Sequence, residues 1–165
     1  MGEYQHVSHT FEPVYDEKSR ILILGSLPSV KSREQGFYYG HPRNRFWKLI
    51  SILLKSEEPV TTDEKKRLLL DNRIALWDVI DSCDIIASSD SSIKNVTAAD
   101  IPAILQETNI ERIYANGRTA EALYNKYIVD KTGIGIMALP STSPANAAFS
   151  MQRLIEGWHV ILEQL

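Results

Sequence analysis

The chain has 165 residues, 44% of them hydrophobic and 24% charged, with a formal net charge of -3. That length suits one compact domain, residues 1–165, with a sizeable core, and the slight negative charge provides no overall attraction to a polyanion. One cysteine, Cys83, excludes an internal disulfide and an iron–sulfur cluster held by four thiolates of this chain.

Residues 21–24, Ile-Leu-Ile-Leu before Gly25, form an unbroken aliphatic run of the kind found in a strand buried on both faces. A long loop over residues 26–44 follows. Phe46, Leu49, Ile50 and Leu53 then share one helical face, with Asn44 placed as a cap. Thr61 and Glu64 have capping-box spacing, so a short helix is expected before the Asp71-Asn72 turn. Residues 74–80 read as a second strand. Residues 81–98, rich in Ser and Asp with few periodic apolar positions, read as a long loop over a site.

A brief helix at residues 101–105 precedes a third strand at 110–115 and a helix at 117–127. A fourth strand at 134–139 and an amphipathic helix at 147–165 complete the chain. Strands alternating with helices imply an α/β fold of three layers, αβα, around a central, mainly parallel sheet of about four strands. In such sheets the functional loops leave the carboxyl ends of the strands, near the point where strand order reverses. The segments placed there are Gly25 to Ser29, Trp77-Asp78, Asn116 and Pro140 to Asn146.

Those segments resemble the motifs of the uracil-DNA glycosylase superfamily, and more closely its hypoxanthine-DNA glycosylase branch. Gly25-Ser26-Leu27-Pro28-Ser29 is similar to the family's glycine-x-x-proline loop. His41-Pro42-Arg43-Asn44-Arg45-Phe46-Trp47 resembles the stretch before the branch's first core helix. Leu139 to Asn146, Leu-Pro-Ser-Thr-Ser-Pro-Ala-Asn, is similar to its DNA-intercalating loop. The resemblance runs in order over nearly the whole chain and implies an enzyme of base excision repair that removes a deaminated base, hypoxanthine before uracil, from double-stranded DNA. One departure is Leu27, where better-known members carry an Asn, Asp or Glu that orients water. A binding module without catalysis is the rival that this departure raises.

The resemblance assigns orientation of the attacking water to Asn44, through its amide oxygen, although Asn44 also suits a helix cap. Asn116 would bond the base edge or stabilise the departing anion, or simply close a turn with Gly117. Gly25, Ser26, Leu27, Pro28 and Asp78 would line the base pocket, with a ring from Phe37, Tyr38 or Tyr39 stacked on the base. Asp78 could equally satisfy loop amides, and the rings could belong to the core. Ser29, Ser141, Thr142 and Ser143 suit phosphate contacts, as do Arg43 and Arg45, unless these arginines are plain solvated surface. Pro144 and Ala145 would form a wedge in the duplex, and Asn146 would meet the opposite base or cap the last helix. His6, His9, His41, His159 and Cys83 lack metal-ligand spacing, so neither metal nor other cofactor is expected. The polar first ten residues and the short apolar runs lead to the expectation of a cytoplasmic monomer with no membrane partner.

Overall fold

The structure, a computed structural model, describes residues 2–87 and 89–165. In chain order its elements are β1 (Gln5–Ser8), β2 (Ile21–Gly25), α1 (Val30–Gln35), α2 (Phe46–Leu53), α3 (Thr62–Asp71), β3 (Ile74–Asp78), β4 (Ile80–Ile85) and β5 (Lys94–Ala98). There follow α4 (Ile101–Glu107), β6 (Arg112–Asn116), α5 (Arg118–Tyr127), α6 (Val129–Thr132), β7 (Ile136–Leu139) and α7 (Met151–Trp158). Tight 3₁₀ turns occupy Asp90–Ser92, Pro144–Asn146 and His159–Gln164.

Four strands form the central sheet in the order β3-β2-β6-β7, every neighbouring pair parallel. The aliphatic run of β2 lies inside it, and Ile21, Leu22, Ile23 and Leu24 are fully buried because alternate side chains feed two separate cores. Ile21 and Ile23 join Phe46, Leu49 and Ile50 of α2, Leu69 of α3 and Leu154 and Trp158 of α7. Leu22 and Leu24 point the other way, to Ile101 and Ile104 of α4 and Ala120 and Tyr124 of α5. The result is the expected three-layer αβα sandwich. The outer edge of β3 is blunted by Val14, whose backbone exchanges hydrogen bonds of 2.9 Å with Leu76 in both directions.

Helix starts follow their local chemistry. Thr61 and Glu64 form the full capping box of α3, Asp100 caps α4, and Ser150 accepts from the Arg153 amide to start α7. The expected start of the last helix at residue 147 is therefore corrected to residue 151, and its last six residues tighten into a 3₁₀ turn.

The larger correction concerns residues 81–98. Most of this stretch is not loop: β1, β4 and β5 build a second, antiparallel sheet in the order β1-β4-β5. The expected strand at 74–80 ends at Asp78, and the chain passes through buried Val79 into β4. Only Ile80, Cys83 and Ile85 of β4 are buried, and register shifts interrupt its pairing with β5, so no clean alternation marks the strand. The expected loop at 26–44 also contains α1, capped by Ser29 and closed by Gly36 in the left-handed region.

Candidate active site

From β2 the chain reaches β3 on one side and, later, β6 on the other, so strand order reverses between β2 and β6. Their carboxyl ends, Gly25 and Asn116, open there into a cavity of ≈ 840 Å³, within the usual range of ligand sites. Gly25, Ser26, Leu27, Pro28, Ser29, Tyr39, Asn44, Asp78, Asn116, Ser141, Thr142, Ser143, Ala145 and Asn146 line it together. Five chain segments far apart in sequence thus converge on one space.

Asn44 and Asn116 meet through Thr142. Asn116 Nδ2 donates to Thr142 Oγ1 at 3.0 Å, and Asn116 Oδ1 accepts from the Thr142 amide at 3.0 Å. The Thr142 hydroxyl donates to Asn44 Oδ1 at 2.8 Å, and the same oxygen accepts the Phe46 amide at 3.0 Å. Asn44 thus lines the cavity and accepts the first amide of α2, although the residue at the cap position is Arg45 and not Asn44 as expected. An amide oxygen has two lone pairs, and here both are engaged. A further donor can reach that oxygen only when the Thr142 hydroxyl turns away, and Thr142 links the two asparagines. Thr142 itself is fully buried, so its expected phosphate contact is corrected to this internal role.

Asp78 also lines the cavity, and its carboxylate is held by His9. Its Oδ2 lies 2.8 Å from His9 Nε2, while His9 Nδ1 lies 2.8 Å from the Phe11 carbonyl oxygen. The side chains are 4% and 2% exposed, so water screens this pair little. Oδ1 crowds Gly25, where a Cβ would stand 2.4 Å from it and 3.0 Å from the Tyr39 hydroxyl. Only glycine admits both groups.

Tyr39 sits at φ 52, a left-handed conformation uncommon for an aromatic residue, with its ring stacked on Phe46 at 4.3 Å. Its hydroxyl is buried and has no hydrogen-bond partner among the described residues. Burial, and then the neighbouring Asp78 charge, push its ionisation far above the ordinary tyrosine range; Asn116 lies close enough to draw it back somewhat without reaching bonding geometry. A hydroxyl without a hydrogen-bond partner among the described residues therefore lies near the Asp78 carboxylate in the wall of the cavity.

Several expected roles are corrected. Phe37 is buried against Trp47, Phe11 and Tyr38 and does not reach the cavity. Arg45 is no free phosphate ligand: its guanidinium donates to the carbonyl oxygens of Ser143 (3.3 Å), Asn146 (3.1 Å) and Phe149, clamping the loop after β7. Asn146 Nδ2 bonds the Ser141 carbonyl at 3.0 Å, while Ser150 caps the last helix. Pro144 lies off the lining and exposed Arg43 borders a neighbouring hollow. Leu27 packs on the cluster of Ile80, Cys83 and Ile85, so its side chain anchors the loop apolarly. Ser141 and Ser143 accept backbone amides in the loop, at 3.1 Å each, which leaves their hydroxyl hydrogens to donate outward.

Sequence reasoning missed His9, Arg118 and Thr119. The last two line the cavity at the start of α5, two and three residues beyond Asn116, where the strand-to-helix handover was the available signal. His9 follows a strand with no apolar pattern, and nothing local marks it. Among the described residues no three His, Cys, Asp or Glu side chains are grouped to hold a metal ion, and no helix is long and apolar enough to cross a membrane.

The fold is thus α/β, with a cavity at its switch point faced by two linked asparagines and a serine-rich loop. Residues 12–160 match the family model described as the uracil DNA glycosylase superfamily, and the chain belongs to that family. It is 34% identical over 157 residues to a protein of Methanosarcina acetivorans named hypoxanthine DNA glycosylase, covering 94% of this chain and 98% of that one. A Methanosarcina barkeri protein of the same name is 33% identical over 151 residues, 90% and 93% of the two chains. A solution NMR structure from M. acetivorans, described as a candidate uracil DNA glycosylase, superposes with a TM-score of 0.80 at 35% identity, covering 93% of this chain and 96% of that one.

Proposed function

We propose that this chain is a monofunctional DNA glycosylase of base excision repair that hydrolyses the N-glycosidic bond of hypoxanthine extruded from double-stranded DNA, acting as a cytoplasmic monomer. The observation that carries the substrate is the end-to-end likeness to two proteins named hypoxanthine DNA glycosylase. A cavity of ≈ 840 Å³ also leaves room for a bicyclic base. The lone cysteine, buried and free, suits a reducing compartment.

In this reading the duplex gives up its stacked nucleotide at a cost of about a few kcal/mol, least at a mismatched pair. Departure of the base leaves an oxocarbenium-like sugar. A water oxygen bonds to C1′ as the C1′–N9 bond breaks, and one proton of that water ends on the released purine. Asn44 orients the water once the Thr142 hydroxyl has turned from it toward a substrate oxygen. The Asn116 amide and the Tyr39 hydroxyl supply donors toward the charge that develops on the base. Ser141 and Ser143 hydroxyls hold phosphates beside the extruded nucleotide, and Ala145 enters the gap it leaves.

The test is product identity. Duplexes carrying a single deoxyinosine, deoxyuridine or deoxyxanthosine are incubated with the protein, and the released base is identified by chromatography. Hypoxanthine released fastest supports the proposal. Uracil released to the exclusion of hypoxanthine keeps the enzyme class and overturns the substrate, in line with the description of the superposed NMR structure. Binding to all three duplexes with no base released overturns the enzyme reading in favour of a module without catalysis.

A further inference from the structure

Charge divides unevenly between the cavity and the hollow beside it. The acidic and basic residues that line the cavity are Asp78, Asp90 and Arg118, so carboxylates outnumber cations there. A chain of formal net charge -3 that holds a polyanion must gather its attraction on a local face. The hollow of ≈ 350 Å³ between the start of α2 and the start of α3 is such a face. It shares Tyr39 and Asn44 with the cavity wall, and Arg43, Lys48 and Lys65 line it against one carboxylate, Glu58. Among the described residues none of these three cations has a carboxylate within ion-pair reach. A further cation in the lining, Arg45, is already bound to carbonyl oxygens of the loop after β7.

The three cations are brought together from separate pieces of backbone. Arg43 sits in the turn before α2, where its amide donates to His41 Nδ1 at 3.0 Å and the Asn44 amide donates to the His41 carbonyl oxygen at 2.9 Å. Lys48 is exposed on α2 between buried Trp47 and Leu49. Half-buried Lys65 comes from α3, with its ammonium 5.3 Å from the centre of the Trp47 ring. Burial pulls that ammonium below the ordinary lysine range while Glu58 pushes it back, so an anion entering the hollow meets a cation short of solvation. We propose that the hollow seats backbone phosphates of the DNA strand that carries the extruded nucleotide, with Arg43, Lys48 and Lys65 as their partners. Tyr39 and Asn44 stand in the walls of both the cavity and the hollow, so a strand whose base enters the one passes beside the other. Contacts of this kind hold register and supply the salt-dependent part of affinity without reading sequence. They add the positive charge that the hydroxyls of Ser141 and Ser143 lack.

The choice of strand rests on the reading of the cavity as a base pocket, and the experiment separates the two. Affinity for an inosine duplex, and for the same duplex without the lesion, is measured from about 50 to 200 mM salt. The proteins are wild type, Arg43→Gln, Lys48→Gln, Lys65→Gln and Glu58→Gln, with Lys131→Gln on α6 as a control that removes one positive charge outside the hollow. Arg43→Gln, Lys48→Gln and Lys65→Gln are each expected to bind roughly 3-fold to 10-fold more weakly, with a slope of log affinity against log salt shallower by about 1, while Lys131→Gln keeps the wild-type slope. A smaller folded fraction scales affinity alike at every salt concentration, so a destabilised Lys65→Gln still reports through its slope. Glu58→Gln removes the opposing carboxylate and is expected to bind about 2-fold to 5-fold tighter, the size of an exposed charge pair. Uncharged methylphosphonate linkages, placed singly along each strand beside the inosine, then locate the contact. One on the inosine strand should weaken wild type and cost Lys48→Gln nothing more. Slopes unchanged in all three variants, an equal change in Lys131→Gln, Glu58→Gln binding no tighter than wild type, or coupling to the complementary strand alone would overturn the proposal. Hypoxanthine released by wild type with those slopes unchanged overturns the hollow and keeps the glycosylase. Shallower slopes with no base released by wild type keep the phosphate contacts and overturn the glycosylase reading.

Discussion

Thr142 is the residue on which the two asparagines depend. Replacing it by Val keeps the shape and removes the hydroxyl, so Asn44 Oδ1 loses one donor and Asn116 Nδ2 loses its acceptor. Unmade bonds of these half-buried amides cost up to about 1 kcal/mol each, and if the amides act in the reaction as proposed, misplacing one costs roughly 10-fold or more in rate. Thr142→Val is therefore expected to lower Tm and slow single-turnover release together, with Thr142→Ser recovering both. A Val variant at wild-type rate would show that the link has no catalytic part. Gly117 offers a second residue-scale prediction: its φ of 95 and the 3.2 Å gap from a built Cβ to the Ser141 Cβ mean that Gly117→Ala strains the backbone and presses on the serine loop. Its Tm should fall by several degrees, corresponding to about 1–3 kcal/mol.

At the scale of elements, the loop after β7 owes its shape to Arg45. Three carbonyl oxygens of that loop converge on one guanidinium, a charge-assisted arrangement. Arg45→Ala should destabilise the protein by about 2–4 kcal/mol and weaken DNA binding, but the slope of log affinity against log salt should stay unchanged, because no phosphate contact is removed. A slope shallower by about 1 would restore Arg45 as a phosphate ligand.

The elements were legible where both faces are buried. The Ile21–Gly25 run and the spaced apolar residues of Phe46–Leu53 declare themselves because burial demands them. The second sheet was not legible, since Lys94–Ala98 is largely exposed and Gln5–Ser8 buries no residue fully, so hydrophobic period carries no signal there. The site followed the same division. Asn44, Asn116 and the serine-rich loop lie at strand and helix ends that pattern reveals, whereas His9 reaches Asp78 across 69 positions and only tertiary packing brings them together. Arg45 looked free for the same reason: its carbonyl partners lie about a hundred residues away.

For the whole molecule, tyrosines set the alkaline limit. Tyr38, Tyr39, Tyr114 and Tyr124 are all held above the ordinary value of 10.0, chiefly by burial. Above about pH 10 the unfolded chain releases these protons and the folded chain retains them. The unfolded state then binds fewer protons, so the contribution to stability is complete below pH 10 and declines as pH rises beyond it. Titration followed at 295 nm should show the tyrosinate signal of these four, out of seven tyrosines, appearing only with loss of the far-ultraviolet circular dichroism. Their ionisation in the intact fold would contradict the packing described.

The central claim is that the paired asparagines at the switch point of the sheet release hypoxanthine from DNA. The measurement that tests it most directly is single-turnover cleavage of an end-labelled duplex with one deoxyinosine, abasic sites being revealed by alkali, for wild type, Asn44→Ala and Asn116→Ala. The account predicts cleavage by wild type and a loss of at least roughly 10-fold in each variant with duplex affinity retained. Wild-type protein that binds the duplex and releases no hypoxanthine, or an Asn44→Ala variant as fast as wild type, would contradict it.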